Sequence, residues 1–163
     1  MTIVIHPEAR VSRLADIEDS VRGTSITIGA ESVIDSFVKI KPVGGTGDVI
    51  IGERVHVNSG CVIYSGNGIR IGDDVAIAAN CVFAPVNHEF RDKTRLIREQ
   101  RFSPSRGGII IENDVWIGAG CVLLDGAVVR RGAVIGAMSL VRGDVAAYSI
   151  CFGNPLRKVG SRR

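Results

Sequence analysis

The sequence predicts an all-β fold, a parallel β-helix solenoid with one loop thrown outward and a short C-terminal cap. Three observations predict it. Aliphatic residues recur at every sixth position along most of the chain, the period is even, and the composition is rich in glycine (20 of 163 residues) and poor in aromatics (5%). An even period returns each inward position to the same face of an extended strand, which a 3.6-residue helix cannot do. Glycine suits the repeated tight turns between short strands. Three hexads make one triangular coil, and stacked coils share a continuous core.

In chain order the anchors are Ile5, Val11 and Ile17, then Ile28, Ile34 and Ile40, then Ile51, Val57 and Ile63, then Ile71, Ile77 and Phe83. After a gap they run unbroken through Ile111, Ile117, Leu123, Val129, Ile135 and Val141. Four residues beyond an anchor sits a small or β-branched side chain, as in Ala9, Ala15, Val38, Val55, Val75, Val115, Ala127, Ala133, Ser139 and Val145. Cys61, Cys81, Cys121 and Cys151 are read at that same place. They form no CxxC pair and have no histidine at zinc-ligand spacing, so they are expected to be small core hydrophobes rather than metal ligands.

The interruptions locate what leaves the solenoid. The steps from Ile17 to Ile28 and from Ile40 to Ile51 are one residue off, the second over the Gly44 to Asp48 turn cluster, and the Ser65 to Gly68 stretch adds two residues. All three read as bulges or turns. The fourth interruption, about residues 87–110, is long enough to be a functional arm. It is rich in Arg91, Lys93, Arg95, Arg98, Arg101 and Arg106, a composition that a solvated loop would also have. From Ala147 the spacing dissolves, and the tail of about 147–163 is expected to end the solenoid and cap its last coil.

The length suits one domain over 1–163. No apolar run of about 18 residues and no leader-like start are present, so a soluble, cytoplasmic protein is expected. The net charge of +3 is modest and its cations scattered, which gives nucleic-acid binding little support.

Only three histidines exist, His6, His56 and His88. His6 lies in the first coil and His56, which follows the inward Val55, should point outward, whereas His88 stands where the solenoid meets the arm. Acyl transfer from a thioester to a hydroxyl needs a base to accept the hydroxyl proton, and neutral imidazole suits that task near neutral pH. It also needs a donor for the developing oxyanion, which a backbone N–H at a Gly or Ala turn can supply. No Ser-His-Asp or Cys-His set is evident, which favours direct attack over a covalent acyl-enzyme.

The stretches V-N-S-G-C, I-R-I-G-D-D-V-A-I-A-A-N-C, N-H-E-F-R-D and I-I-I-E-N-D-V-W-I-G-A-G-C resemble the hexapeptide-repeat acyltransferase superfamily, in its galactoside and maltose acetyltransferase branch. The N-H-x-F-x-D start of the arm is similar to polysaccharide and lipopolysaccharide O-acetyltransferases. The resemblance covers about residues 51–158. It implies a left-handed parallel β-helix solenoid of hexapeptide repeats, a homotrimer, acetyl-CoA as co-substrate and a sugar-like or glycan acceptor; a long CoA against a nearly flat prism face argues further for an active site between subunits, and no metal is expected. His88 takes the place of the catalytic histidine and Asn58 that of an acceptor-binding asparagine, with Tyr64 on the acceptor side. Ala119 and Ala137 fall where the backbone faces the donor's pantetheine arm, with Trp116 along the same groove. Arg157 and Lys158, in G-N-P-L-R-K, fall near the CoA phosphates, and Arg142 stands in a donor-side pair that reads Thr-Lys in the family and Arg142-Gly143 here. An acceptor-side aspartate of the galactoside enzymes falls on Gly66, which argues against galactoside itself as acceptor. Glu89 and Asp92 are the two carboxylates that could orient His88, or are simply solvated. The reading is thus an O-acetyltransferase, with an N-acyltransferase acting on a nucleotide-linked amino sugar as the second enzyme reading and a non-catalytic scaffold as the reading of another class.

Overall fold

The computed structural model describes residues 3–163. The chain winds through three faces in turn. The first coil is β1 (Ile3–Ile5), β2 (Arg10–Val11) and β3 (Asp16–Ile17), and the second β4 (Ile26–Ile28), β5 (Val33–Ile34) and β6 (Lys39–Lys41). The third is β7 (Val49–Ile51), β8 (His56–Val57) and β9 (Val62–Tyr64), and the fourth β10 (Ile69–Ile71), β11 (Ala76–Ile77) and β12 (Val82–Ala84). The arm follows with its short helix α1 (Ile97–Gln100), and the fifth coil is β13 (Ile109–Ile111), β14 (Trp116–Ile117) and β15 (Val122–Leu124). The sixth is β16 (Ala127–Val129), β17 (Val134–Ile135) and β18 (Leu140–Val141), and the last is β19 (Asp144–Val145) and β20 (Ser149–Phe152), followed by β21 (Arg157–Ser161).

Every third strand stacks on the one before, so face one is β1-β4-β7-β10-β13-β16-β19, face two β2-β5-β8-β11-β14-β17-β20-β21, and face three β3-β6-β9-β12-β15-β18. All pairings are parallel except β20 with β21. In register, Val57, Ile77, Ile117 and Ile135 form one column inside face two. Anchors from Ile28 to Val141 are almost wholly buried, and each such aliphatic side chain stabilises the fold by about 1.5–3 kcal/mol relative to exposure. The first coil is different. Ile5 is exposed and Val11 and Ile17 are half-buried, because no strand among the described residues stacks beneath them.

From the second coil on, corners of regular spacing place the third residue after the anchor at positive φ. Glycine fills that slot at Gly60, Gly120 and Gly132, but so do Phe37, Asp74, Asn80 and Met138, at 63, 57, 61 and 60°. An L side chain there costs about 1–2 kcal/mol and persists because the stacked coils above and below leave the corner no alternative.

The C-terminal end departs from expectation. Between Val141 and Val145 the step shortens to four residues over Arg142 and Gly143, and then six-residue spacing resumes. Val145 therefore pairs with anchor Val129, and Cys151 with anchor Ile135. Both stand in the anchor columns rather than four places beyond one. Loss of two residues preserves the inward parity of a strand, which is why the pattern stayed readable while the column was misassigned. The solenoid thus continues past Ala147, and the tail caps it by folding back as β21 against β20. Cys61, Cys81 and Cys121 keep the expected place, stacked in one buried column, with each Sγ donating to a carbonyl of the next coil at 3.2 Å, those of Ala78, Gly118 and Gly136.

Candidate active site at the corner that bears the arm

The arm leaves the corner between faces three and one, after β12. Its two limbs pair locally: Asn87 accepts from Ser103 N at 2.8 Å, Glu89 N donates to Arg101 O at 3.0 Å, and His88 bridges Phe102 between them. The His88 ring packs on the Phe102 ring, with centroids 4.9 Å apart and planes tilted by 47°. Backbone ladder and ring contact together hold the imidazole at the mouth of a cavity of about 620 Å³, lined also by Asn87, Ser103, Leu124, Asp125 and three arginines, Arg91, Arg106 and Arg142.

Neither candidate orienting carboxylate bonds the His88 ring. Glu89 accepts from the N–H groups of Arg91 and Phe90, which hold its carboxyl below the usual range. Asp92 accepts from the hydroxyl and N–H of Thr94, with the same effect. Their oxygens are taken by the turns that begin the arm, so the contact that sets the ring is aromatic, from Phe102.

A carboxylate that the sequence reading passed over ties the arm down. Asp125, between β15 and β16, is 2% exposed. It accepts from Arg106 N at 2.8 Å, Gly108 N at 2.9 Å and Asn67 Nδ2 at 3.1 Å, so it joins the arm's return limb to its own coil and to the turn two coils below. The available signal was an Asp-Gly turn inside an otherwise unbroken hexad run, at the corner where the arm returns.

The remaining candidates fall at two corners and one face. Tyr64 lies on face three beside the arm's corner, next to Lys41. Asn58 lies at the corner between faces two and three, where its Nδ2 donates to Ile77 O at 2.7 Å. Ala119 and Ala137 follow on that same edge, and Met138 N donates to Ala119 O at 2.8 Å. The turns stack so closely there that a Cβ on Gly118 would come within 2.5 Å of Ala137 N. Trp116 projects from face two with half its surface exposed. Arg157 and Lys158 lie on β21 opposite Phe152 and Cys151. Hence one prism does not bring His88 and Asn58 together, because they occupy different corners.

Along the prism axis the candidates do sort. Asn58 and Tyr64 belong to the third coil, His88 to the arm after the fourth, and Trp116, Ala119, Ala137, Arg142, Arg157 and Lys158 to the fifth coil and beyond. Gly66 has no room for the acceptor-side aspartate that the galactoside resemblance places there, since its φ is 42° and a Cβ would meet Pro85 O at 2.8 Å.

Residues 108–143 match the family described as bacterial transferase hexapeptide (six repeats). A galactoside O-acetyltransferase of Escherichia coli is 30% identical over 112 residues, which is 69% of this chain and 53% of that protein. The chain belongs to the hexapeptide-repeat acyltransferase family. Within it, a chloramphenicol acetyltransferase of Agrobacterium fabrum is 45% identical over 122 residues, 74% of this chain and 55% of that protein. The chain spans about half the length of both relatives. Among solved structures, the S84A mutant of AntD, an N-acyltransferase from Bacillus cereus in complex with dTDP-4-amino-4,6-dideoxyglucose and coenzyme A, superposes with a TM-score of 0.83 at 27% identity, over 99% of this chain and 84% of that one. These likenesses identify the solenoid as the left-handed β-helix of the family's acyltransferases.

Proposed function

We propose that the protein transfers an acetyl group from acetyl-CoA to a hydroxyl of a sugar or polysaccharide precursor, with His88 as general base. The observation that carries this reading is the order along the axis. Every acceptor-side candidate lies on one side of His88, and every donor-side candidate on the other. Arg106 and Arg142 flank the cavity on the donor side, where they would meet the phosphates of CoA, while the small residues Ala119 and Ala137 leave space for its narrow pantetheine arm.

The chemistry follows from that order. A His88 ring nitrogen accepts the acceptor's hydroxyl proton as its oxygen attacks the thioester carbonyl carbon. The tetrahedral oxyanion takes a hydrogen bond from a backbone N–H of the small-residue turns, then collapses, breaking the C–S bond. The CoA thiolate leaves and recovers the proton from the imidazolium, so the enzyme ends as it began.

His88 and Asn58 stand at different corners, so the complete site is built between neighbouring prisms of a homotrimer, with the arm of one subunit against the edge of the next. The likeness to AntD favours a second reading, acylation of an amine on a nucleotide-linked sugar, which the same base and groove would serve. Matched hydroxyl- and amine-bearing acceptors, assayed with acetyl-CoA and mass-spectrometric identification of the product, separate the two. An O-acetylated product supports the first reading, and an N-acylated product alone would replace it with the second.

A further inference from the structure

The far end of the arm makes its hydrogen bonds only within itself. Its limbs stay joined out to Asp92, whose N–H donates to Gln100 Oε1 at 3.1 Å and whose carbonyl accepts from Gln100 Nε2 at 2.9 Å. Beyond that rung the bonds close inside the turn, from the Thr94 hydroxyl to Asp92 Oδ1 at 2.6 Å and from the Arg95 guanidinium to Glu99 O at 2.9 Å. No residue of α1 is buried. Leu96 and Ile97 therefore stand side by side in solvent, 57% and 56% exposed, an aliphatic pair that the fold itself does not use.

Charge is as uneven as exposure. Residues 87–110 hold six of the 20 lysines and arginines but only three of the 17 carboxylates, so the arm carries the whole net charge of +3 and the rest of the chain is neutral. The tip, Lys93-Thr94-Arg95-Leu96-Ile97-Arg98, has three cations and no carboxylate. Among the described residues none of the three is in an ion pair, whereas Arg54, Arg130 and Arg162 at the solenoid's corners all are. A second copy of the chain, neutral outside its arm, offers the tip no net charge to meet, and a hydrophilic glycan has no use for the aliphatic pair. A bilayer with anionic lipids answers both features at once, since its headgroups attract the cations and its interfacial layer takes up Leu96 and Ile97. No helix of the described residues is long and apolar enough to cross a membrane, so the contact is with the surface.

We infer that the arm's tip, Lys93, Arg95, Leu96, Ile97 and Arg98, docks on an anionic phospholipid surface. Each cation near such a surface strengthens binding about fivefold, so one tip is a weak anchor and the tips of an assembly act together. None of these five residues lines the cavity at His88, so the tip and the base are separate parts of one arm. Docking brings the general base to acceptors carried on a lipid. That consequence rests on the proposed function, and the lipid contact itself does not.

The test is sedimentation of the full chain with vesicles of phosphatidylcholine containing about a third phosphatidylglycerol, against vesicles of phosphatidylcholine alone. The expected result is binding to the anionic vesicles only, weakened at least about tenfold in Lys93→Gln/Arg98→Gln and in Leu96→Ser/Ile97→Ser, with acetyl-CoA affinity and the mass by light scattering unchanged in both. Absence of binding to the anionic vesicles, or equal binding by wild type and the charge variant, overturns the inference. So does a fall in mass in Leu96→Ser/Ile97→Ser, which would make the tip a contact between subunits, or a loss of acetyl-CoA affinity in the charge variant, which would give its cations to the donor's phosphates. A protein that binds the anionic vesicles through its tip but never turns over acetyl-CoA would keep the lipid contact and remove the proposed reaction, so the two failures are distinguishable.

Discussion

Replacing Asp125 by alanine should free the arm without unfolding the solenoid. The substitution strips the acceptor from three donors, of which Gly108 N is buried and Arg106 N and Asn67 Nδ2 are half-buried. One fully buried donor left unpaired costs about 1–3 kcal/mol, and two that can reach water lose about 0.5–1 kcal/mol each, for a total of about 2–5 kcal/mol. In a solenoid each coil contacts only its neighbours, so that loss falls on the arm's return limb rather than on the whole prism. Amide hydrogen exchange reads it directly. At the lower bound of about 2 kcal/mol the Gly108 and Arg106 amides should exchange about thirtyfold faster, while the anchors of face two, such as Ile77 and Ile117, keep their protection. Asp125→Asn, which is isosteric but offers the donors one oxygen instead of two, should show the same pattern with a smaller shift. Unchanged protection at Gly108 in Asp125→Ala, or a uniform loss across all coils, would refute the reasoning.

A site built from two subunits predicts complementation. Mixed trimers of His88→Ala and Asn58→Ala, each nearly inactive alone, should regain about a quarter of wild-type activity, since one neighbouring pair in four restores both residues at one interface. No recovery after verified subunit exchange would place both residues in one prism. The buried cysteine column predicts inert thiols. The hydrogen bond with Cys61, together with burial, pushes the Cys81 thiol up to about 11, and because all four cysteines are buried a thiol reagent at about pH 8 should reach them only after denaturation. Ion pairs and hydrogen bonds across adjacent coils lower the carboxyl pKa of Asp35, Asp74 and Asp144, and the backbone N–H groups of the arm's first turn lower that of Glu89. Their contribution is complete above the unfolded carboxylate pKa and is lost as the pH falls through the depressed folded values. The urea midpoint should therefore stay level between about pH 7 and 5 and decline below about pH 4.

The stacked core could be read from the sequence because its determinant is local and periodic. Each anchor from Ile28 to Val141 is specified by its own spacing, and parallel stacking aligns every copy. What escaped was whatever depends on two coils at once. The column of Val145 and Cys151 was set by a two-residue shortening that parity conceals. Phe37 and Met138 adopt positive φ because neighbouring turns require it, and nothing in their own side chains announces it. The place of His88 at the base of the arm was legible because the repeat breaks beside it. Its setting against Phe102 was not, because the two residues meet only when the arm folds back on itself. The same holds for Asp125, whose partners come from the arm and from a turn two coils below.

The most direct test of the central claim is release of free thiol from acetyl-CoA with a panel of sugars, nucleotide sugars and amino sugars, with His88→Ala in parallel and its fold verified by circular dichroism. The account predicts turnover on at least one hydroxyl acceptor and a loss of about a hundredfold or more in kcat for His88→Ala, the size expected for a general base, with acetyl-CoA binding intact. Equal kcat in the two proteins would contradict the assignment of His88. Absence of both acetyl-CoA binding and turnover in wild type would leave a hexapeptide solenoid that serves as a scaffold instead.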